Sequence, residues 1–296
     1  MIFDISDFNP EKFHSISGMS YIGKPKSGTA MYITLKVADL LPRLDEVGNC
    51  LVFVEKGMDI SENQGKKNTF VVCDDPRLEY AKFADFFAKK RFEKEKSIKY
   101  IFSPQGYYIS EDSHVESDAY IEPGCVIGPN VTIGKNAKIL ANSVIRRASI
   151  GDNFLSNENA VIGANGFTMA EDEKGNKIRI PTLGRVVIGN NVEVGVNVNI
   201  SCGSSDDTII DDNVKIDALV HIGHDVHIHK NVEITAGGII GGFDDLHENS
   251  YVGINATLRN RITIGNNAVI GMGSTVTKSV ENDTTVVGNP ARKIER

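Results

Sequence analysis

Tryptophan is absent from the 296 residues, cysteine occurs only four times, and no apolar run approaches the ~20 residues of a membrane span. Each absence excludes something. Cys50, Cys73, Cys125 and Cys202 are scattered and form no C-x-x-C pair. Reduced thiols in a cytoplasmic protein are expected, not a disulfide framework or a thiolate metal site. The start, Met1-Ile2-Phe3-Asp4-Ile5-Ser6-Asp7, has neither a basic region nor a long apolar core, which argues against a signal peptide. Positive charge is in deficit: the formal net charge is −7, and the one charge-dense stretch, Lys89 to Lys99, mixes both signs. Nucleic acid is therefore not an expected partner.

What is present is a period of six. From Ile210, every sixth residue is aliphatic: Ile216, Ile222, Ile228, Ile234, Ile240, Leu246, Val252, Leu258, Ile264, Ile270 and Val276. Neither a helix, at 3.6 residues, nor a strand, at two, produces this spacing. Six residues make one flat side of a triangular coil, and about 18 make one turn of a parallel β-helix of the hexapeptide type. Asn, Asp and Gly between the hexads, as in Asp211-Asp212-Asn213, suit the left-handed backbone of tight corners. With coils ~4.8 Å apart, this run alone spans roughly 19 Å. Physics does not fix the hand of the coil.

The chain in order has three parts. Residues 1–105 carry no hexad phase and read as a small α/β domain. Its strands are Cys50–Val54 and Thr69–Val72. Its helix starts at Asp75-Pro76 and carries the apolar face Tyr80, Phe83, Ala84, Phe87 and Ala88. Residues 106–285 read as the prism, with hexads from Ile109 to Ile145. The phase slips by one at Ile150. It fails over 163–187, which must leave the prism as a loop, and slips again between Ser201 and Ile209. Residues 286–296 form a tail, whose Gly288-Asn289-Pro290 turn is expected to stop the prism and lead the chain away.

Chemistry must come from residues that leave this frame. Four histidines crowd together: His221, His224, His227 and His229. His221 and His227 each precede an inward position and point outward on successive sides, so they do not converge on one ion; no metal is expected within a chain, and an interface between chains is the place left for a zinc cluster. His224 lies two residues past Ile222, at a corner, and Asp225 follows it. That pair reads either as a solvated surface histidine or as a base oriented by a carboxylate. Gly242 falls 18 residues on, one coil above the same corner, where glycine lets a ligand approach the backbone closely. Cys202 and Ser204 read as structural. A prism used only for assembly or binding is the non-catalytic alternative; a metal-dependent carbonic anhydrase of the γ class would need three converging histidines, which this spacing does not suggest.

Several stretches carry a resemblance. Ile222-Gly223-His224-Asp225-Val226 looks like the His-bearing corner of hexapeptide-repeat sugar N-acyltransferases. The stretches 162–167, 180–189, 206–210 and 215–217, with Asp75-Pro76-Arg77-Leu78-Glu79-Tyr80-Ala81, resemble the UDP-3-O-acylglucosamine N-acyltransferase family of lipid A biosynthesis. The resemblance implies a left-handed coil and a homotrimer. It implies acyl transfer from a coenzyme A or acyl carrier protein thioester to the amine of a nucleotide-linked amino sugar, with no tightly bound cofactor. It implies His224 as the base, with Asp225 beside it. Tyr32 would stack on the nucleotide base, and Asn165, Gly166 and Phe167 would contact the sugar or acyl group. The family's second prism histidine aligns with Arg261. The ending Gly288-Asn289-Pro290-Ala291-Arg292 is similar instead to coenzyme A-dependent sugar acetyltransferases, which implies donor contacts from Asn289, Pro290 and Arg292.

Overall fold

Coils built on short parallel strands of two to four residues, stacked one upon another, make up most of the chain. A computed structural model describes residues 1–13 and 15–294, so the last two residues of the expected tail lie outside the described ones. Contacts divide the chain into two units. One comprises Met1–Glu93, Phe167–Gly184 and Ser204–Asp206. The other comprises Lys94–Gly166, Arg185–Gly203 and the chain from Asp207 onward.

The second unit is a left-handed parallel β-helix with three sheets of ten, eight and ten strands. Every inward position from Ile210 to Val276 is buried. Residues 18 apart pair in register, as in Ile222 with Ile240, Ile228 with Leu246 and Ile234 with Val252. Burying each such side chain contributes roughly 1.5–3 kcal/mol. Asparagine turns most corners: Asn213, Asn231 and Asn249 hold φ of 62°, 61° and 59°. Their amides also bond coil to coil, Asn213 Nδ2 to Asn231 Oδ1 at 2.9 Å and Asn231 Nδ2 to Asn249 Oδ1 at 3.0 Å.

The slip at Ile150 is one residue lost at a corner. Ile150 still points inward opposite Ile133, and the phase continues through Ser156, opposite Ile139, to Ile162, opposite Ile145. The slip after Ile200 has another origin: Ser204–Asp206 leave the prism and pack with the first unit.

Two expectations about the ends of the prism are corrected. Its first sheet begins before residue 106. Tyr100–Phe102 pairs antiparallel with Tyr108–Ser110 across the Pro-Gly turn, so this strand belongs with the coils and not with the α/β domain. The C-terminal turn does not lead the chain away. Arg292–Lys293 doubles back antiparallel onto Thr285–Val287, and the Thr275 N–H donates to Gly288 O at 3.0 Å. An unpaired final strand would leave a row of backbone groups exposed, and the doubled-back segment satisfies part of it.

The first unit is built on a parallel five-stranded sheet, in the order Ile2–Asp4, Thr69–Cys73, Leu51–Glu55, Thr29–Ile33, Gly18–Met19. The helix Pro76–Lys96 starts as its sequence signals indicate: Asp75 Oδ1 accepts from the Leu78 N–H at 3.0 Å. Tyr80, Phe83 and Ala84 are buried under it. The expected loop is not irregular. Met169–Glu171 and Lys177–Arg179 form an antiparallel hairpin whose Ala170 and Ile180 enter this unit's core. Arg77 and Arg91 tie it down, donating to the carbonyls of Met169, Thr182 and Leu183.

Candidate active site

His224 sits where the first sheet turns into the second, and its backbone is held by the coils on either side. Its carbonyl accepts from Phe243 N at 2.9 Å, and the next residue's N–H, that of Asp225, donates to Thr208 Oγ1 at 3.0 Å. Asp225 takes the left-handed corner conformation, φ 58°, which turns its carboxylate back toward the histidine. His224 Nδ1 lies 2.7 Å from Asp225 Oδ2, with the imidazole 15% and the carboxylate 1% exposed. An ionised carboxylate only accepts hydrogen bonds, so Nδ1 carries the proton and Nε2 is the basic nitrogen.

Gly242 stands on the next coil against the imidazole. A Cβ there would lie 2.9 Å from both Cε1 and Nε2 of His224, so glycine is the residue that permits this approach. Among the described residues its N–H donates to no protein acceptor. Two neighbours escape the sequence reading as a pair. The Phe243 ring meets the His224 ring edge-on, centroids 5.2 Å apart, and the Arg261 guanidinium lies 3.9 Å over the Phe243 centroid. Their signal is periodic: Asp225, Phe243 and Arg261 are 18 apart, at left-handed corners where asparagine is the usual residue. Phenylalanine in that conformation is strained, and strain of this kind concentrates at functional sites.

The same edge continues downward. Asn165 is two coils below His224, about 10 Å along the prism by the strand spacing. It is exposed, and its Oδ1 accepts from Arg147 at 2.8 Å; Gly166 beside it is buried. Cys202, on the intervening coil, is buried with its thiol directed at Ala164 O, 3.2 Å away, which suits a structural residue. Ser204 is buried within the first unit.

The remaining expected residues do not gather at this corner within the second unit. Asn289, Pro290 and Arg292 are exposed in the segment that pairs one layer beyond Thr275, four spacings and ~19 Å above His221. Tyr32 and Phe167 belong to the first unit. Tyr32 is half-buried, its ring 5.2 Å from that of Tyr80. Phe167 is 77% exposed, with Arg179 5.2 Å over its ring.

The other crowded histidines lie on outer faces. His221 is on the first sheet, 3.1 Å from Asn199 Oδ1, and His227 is on the second. The two therefore lie on different sides, as their spacing predicts. The sequence reading does not pair His227 with His229, and that pair is the one brought together: the rings stack at 3.8 Å. Burial holds the His221 and His227 imidazoles below their usual range.

Comparison with known proteins agrees with this architecture. A family model described as bacterial transferase hexapeptide (six repeats) matches residues 112–147 and 246–278. A UDP-3-O-acylglucosamine N-acyltransferase from Coxiella burnetii (strain RSA 493 / Nine Mile phase I) is 41% identical over 125 residues, 42% of this chain and 36% of that protein. The protein of the same name from Caulobacter sp. (strain K31) is 37% identical over 155 residues, 52% of this chain and 45% of its own. The chain thus spans less than half the length of these relatives. Among solved structures, the Francisella novicida UDP-N-acetylglucosamine acyltransferase superposes with a TM-score of 0.58 at 25% identity, over 65% of this chain and 68% of that one. Among the described residues no helix is long and apolar enough to cross a membrane. The chain is a hexapeptide-repeat β-helix protein, related over about half its length to the UDP-3-O-acylglucosamine N-acyltransferases.

Proposed function

We propose that this protein transfers an acyl group from a thioester, of coenzyme A or acyl carrier protein, to the amine of a nucleotide-linked amino sugar. The observation that carries the reading is the corner where Asp225 orients His224 and the Gly242 backbone overlies the imidazole. In this reading the amine attacks the thioester carbonyl while His224 Nε2 takes its proton. The Gly242 N–H stabilises the oxyanion that develops. The C–N bond forms, the C–S bond breaks, and the proton returns from His224 to the departing sulfur. No acyl-enzyme is needed, in keeping with a buried Cys202. Asn165 and Gly166 contribute sugar or acyl contacts from the same edge, and Asn289, Pro290 and Arg292 contact the donor. The names of the three relatives given above, each an acyltransferase of a UDP-linked sugar, support the acceptor class.

The working form in this reading is a homotrimer, in which His224 faces a neighbouring prism. Leu219, Ile239, Ile254 and Met272, exposed on the first face and the edge before it, support such a contact. The test is a panel of acetyl-coenzyme A and acyl carrier protein thioesters against amino-sugar nucleotides, with thiol release and N-acylation both measured. One donor–acceptor pair should turn over, and His224→Ala should lower its kcat/KM by about 10²–10⁴-fold. Near-normal turnover in that variant would remove His224 as the base.

A further inference from the structure

Five metal-ligating side chains share one strip of the second face. In a strand, residues flanking an inward position point outward together. His227 and His229 flank Ile228, and Asp245 and His247 flank Leu246 one coil above. Asp211 follows Ile210 one coil below. Two overlapping groups result, Asp211 with His227 and His229, and His229 with Asp245 and His247. The donor atoms of each lie within 4.8 Å of one another. These residues have no part in the acyl-transfer chemistry.

We infer that Asp211, His227 and His229 form a site for one divalent transition-metal ion of the zinc type, with Asp245 as the carboxylate that orients His229. Asp211 Oδ2 lies 3.1 Å from His227 Nε2 and 3.6 Å from His229 Nδ1. Bond lengths of ~2.0–2.2 Å in a tetrahedral shell set donors roughly 3.3–3.6 Å apart, so both separations from Asp211 suit a shared ion, and the stacked His227 and His229 rings need only rotate apart for their lone pairs to converge on it. His229 Nε2 lies 2.8 Å from Asp245 Oδ1. That carboxylate accepts the Nε2 proton, which leaves the Nδ1 lone pair directed at Asp211. This is the carboxylate–histidine–metal arrangement that fixes a ligand's tautomer and orientation.

Stoichiometry follows from the shared ring. A neutral imidazole has one lone pair, so His229 cannot serve both groups, and one ion binds per chain. Two nitrogens and one carboxylate select Zn²⁺, Co²⁺ or Ni²⁺ over Ca²⁺ and Mg²⁺, which take all-oxygen shells. The ligands are 29–39% exposed, so an ion enters from solvent and water completes its shell. The ion joins two successive coils, Asp211 on one and both histidines on the next, and would therefore stabilise the folded prism.

The experiment is calorimetric titration of the chelator-treated full chain with ZnCl₂, repeated with CoCl₂ while the visible spectrum is recorded. One ion per chain should bind, Co²⁺ should develop the absorption of a low-coordinate nitrogen–oxygen site, and excess Mg²⁺ or Ca²⁺ should not displace it. His229→Ala and His227→Ala should abolish binding with an unchanged circular-dichroism spectrum. Asp245→Asn should weaken binding by roughly 10–100-fold, and His114→Ala, elsewhere on the same face, should leave it intact. Wild-type binding in His229→Ala, a ratio other than one ion per chain, or displacement by Mg²⁺ would overturn the site. None of these readouts depends on acyl transfer.

Discussion

At the candidate corner the decisive contacts are few and close. Asp225 holds one tautomer of His224, so Asp225→Asn should lower kcat by more than tenfold while leaving KM nearly unchanged, because geometry persists and proton placement does not. Gly242→Ala puts a methyl 2.9 Å from the imidazole and should cost on the order of 10²-fold in kcat by displacing the ring. Steady-state kinetics read both, and full activity in either would detach that residue from the site. The thiols make a separate prediction. Burial, with Glu79 and neighbouring aspartates, pushes Cys73 up to about 12, and burial also raises Cys50 and Cys125. All four cysteines are buried and unpaired. Native protein at pH 8 should therefore alkylate slowly at every cysteine, and denatured protein quickly at all four, as counted by mass spectrometry.

Within a coil, the side and the corner make different demands. Ile228 is fully buried between Ile210 and Leu246, so Ile228→Ala should cost about 2–5 kcal/mol, transfer plus cavity. Asn231 is exposed, yet it holds φ 61° and bonds to the coils on both sides. Asn231→Ala should cost roughly 1–2 kcal/mol from the left-handed backbone alone. Urea melts measure both, and an Asn231→Ala cost equal to that of Ile228→Ala would overturn this division. The sides were legible because an inward aliphatic residue is required at each one. The corners were legible where asparagine marked them. At Phe243 the corner residue is aromatic, so local propensity hides it, and only the 18-residue spacing from Asp225 reveals it.

Over the whole molecule, the second unit is a stack in which each coil contacts chiefly its neighbours, so interruptions can leave it without breaking it. The segments 167–184 and 204–206 do so and join the first unit. In the proposed trimer the prisms meet along their edges. Light scattering should give three times the 32.3 kDa chain mass for wild type and for His224→Ala alike. A monomer would remove the neighbouring-prism part of the functional reading, and a trimer that dissociates in His224→Ala would make that residue structural.

The repeat alone dictated the β-helix, its inward ladder, its asparagine corners and the corner position of His224, since each is a local requirement renewed every six residues. Folding decided what sequence distance conceals. The insertion became a hairpin because Ala170 and Ile180 find apolar partners far away in the chain. The tail doubled back because the last coil had unpaired backbone to satisfy. His227 met His229, Asp211 and Asp245 because coils stack 18 residues on, at a distance no single stretch of sequence displays.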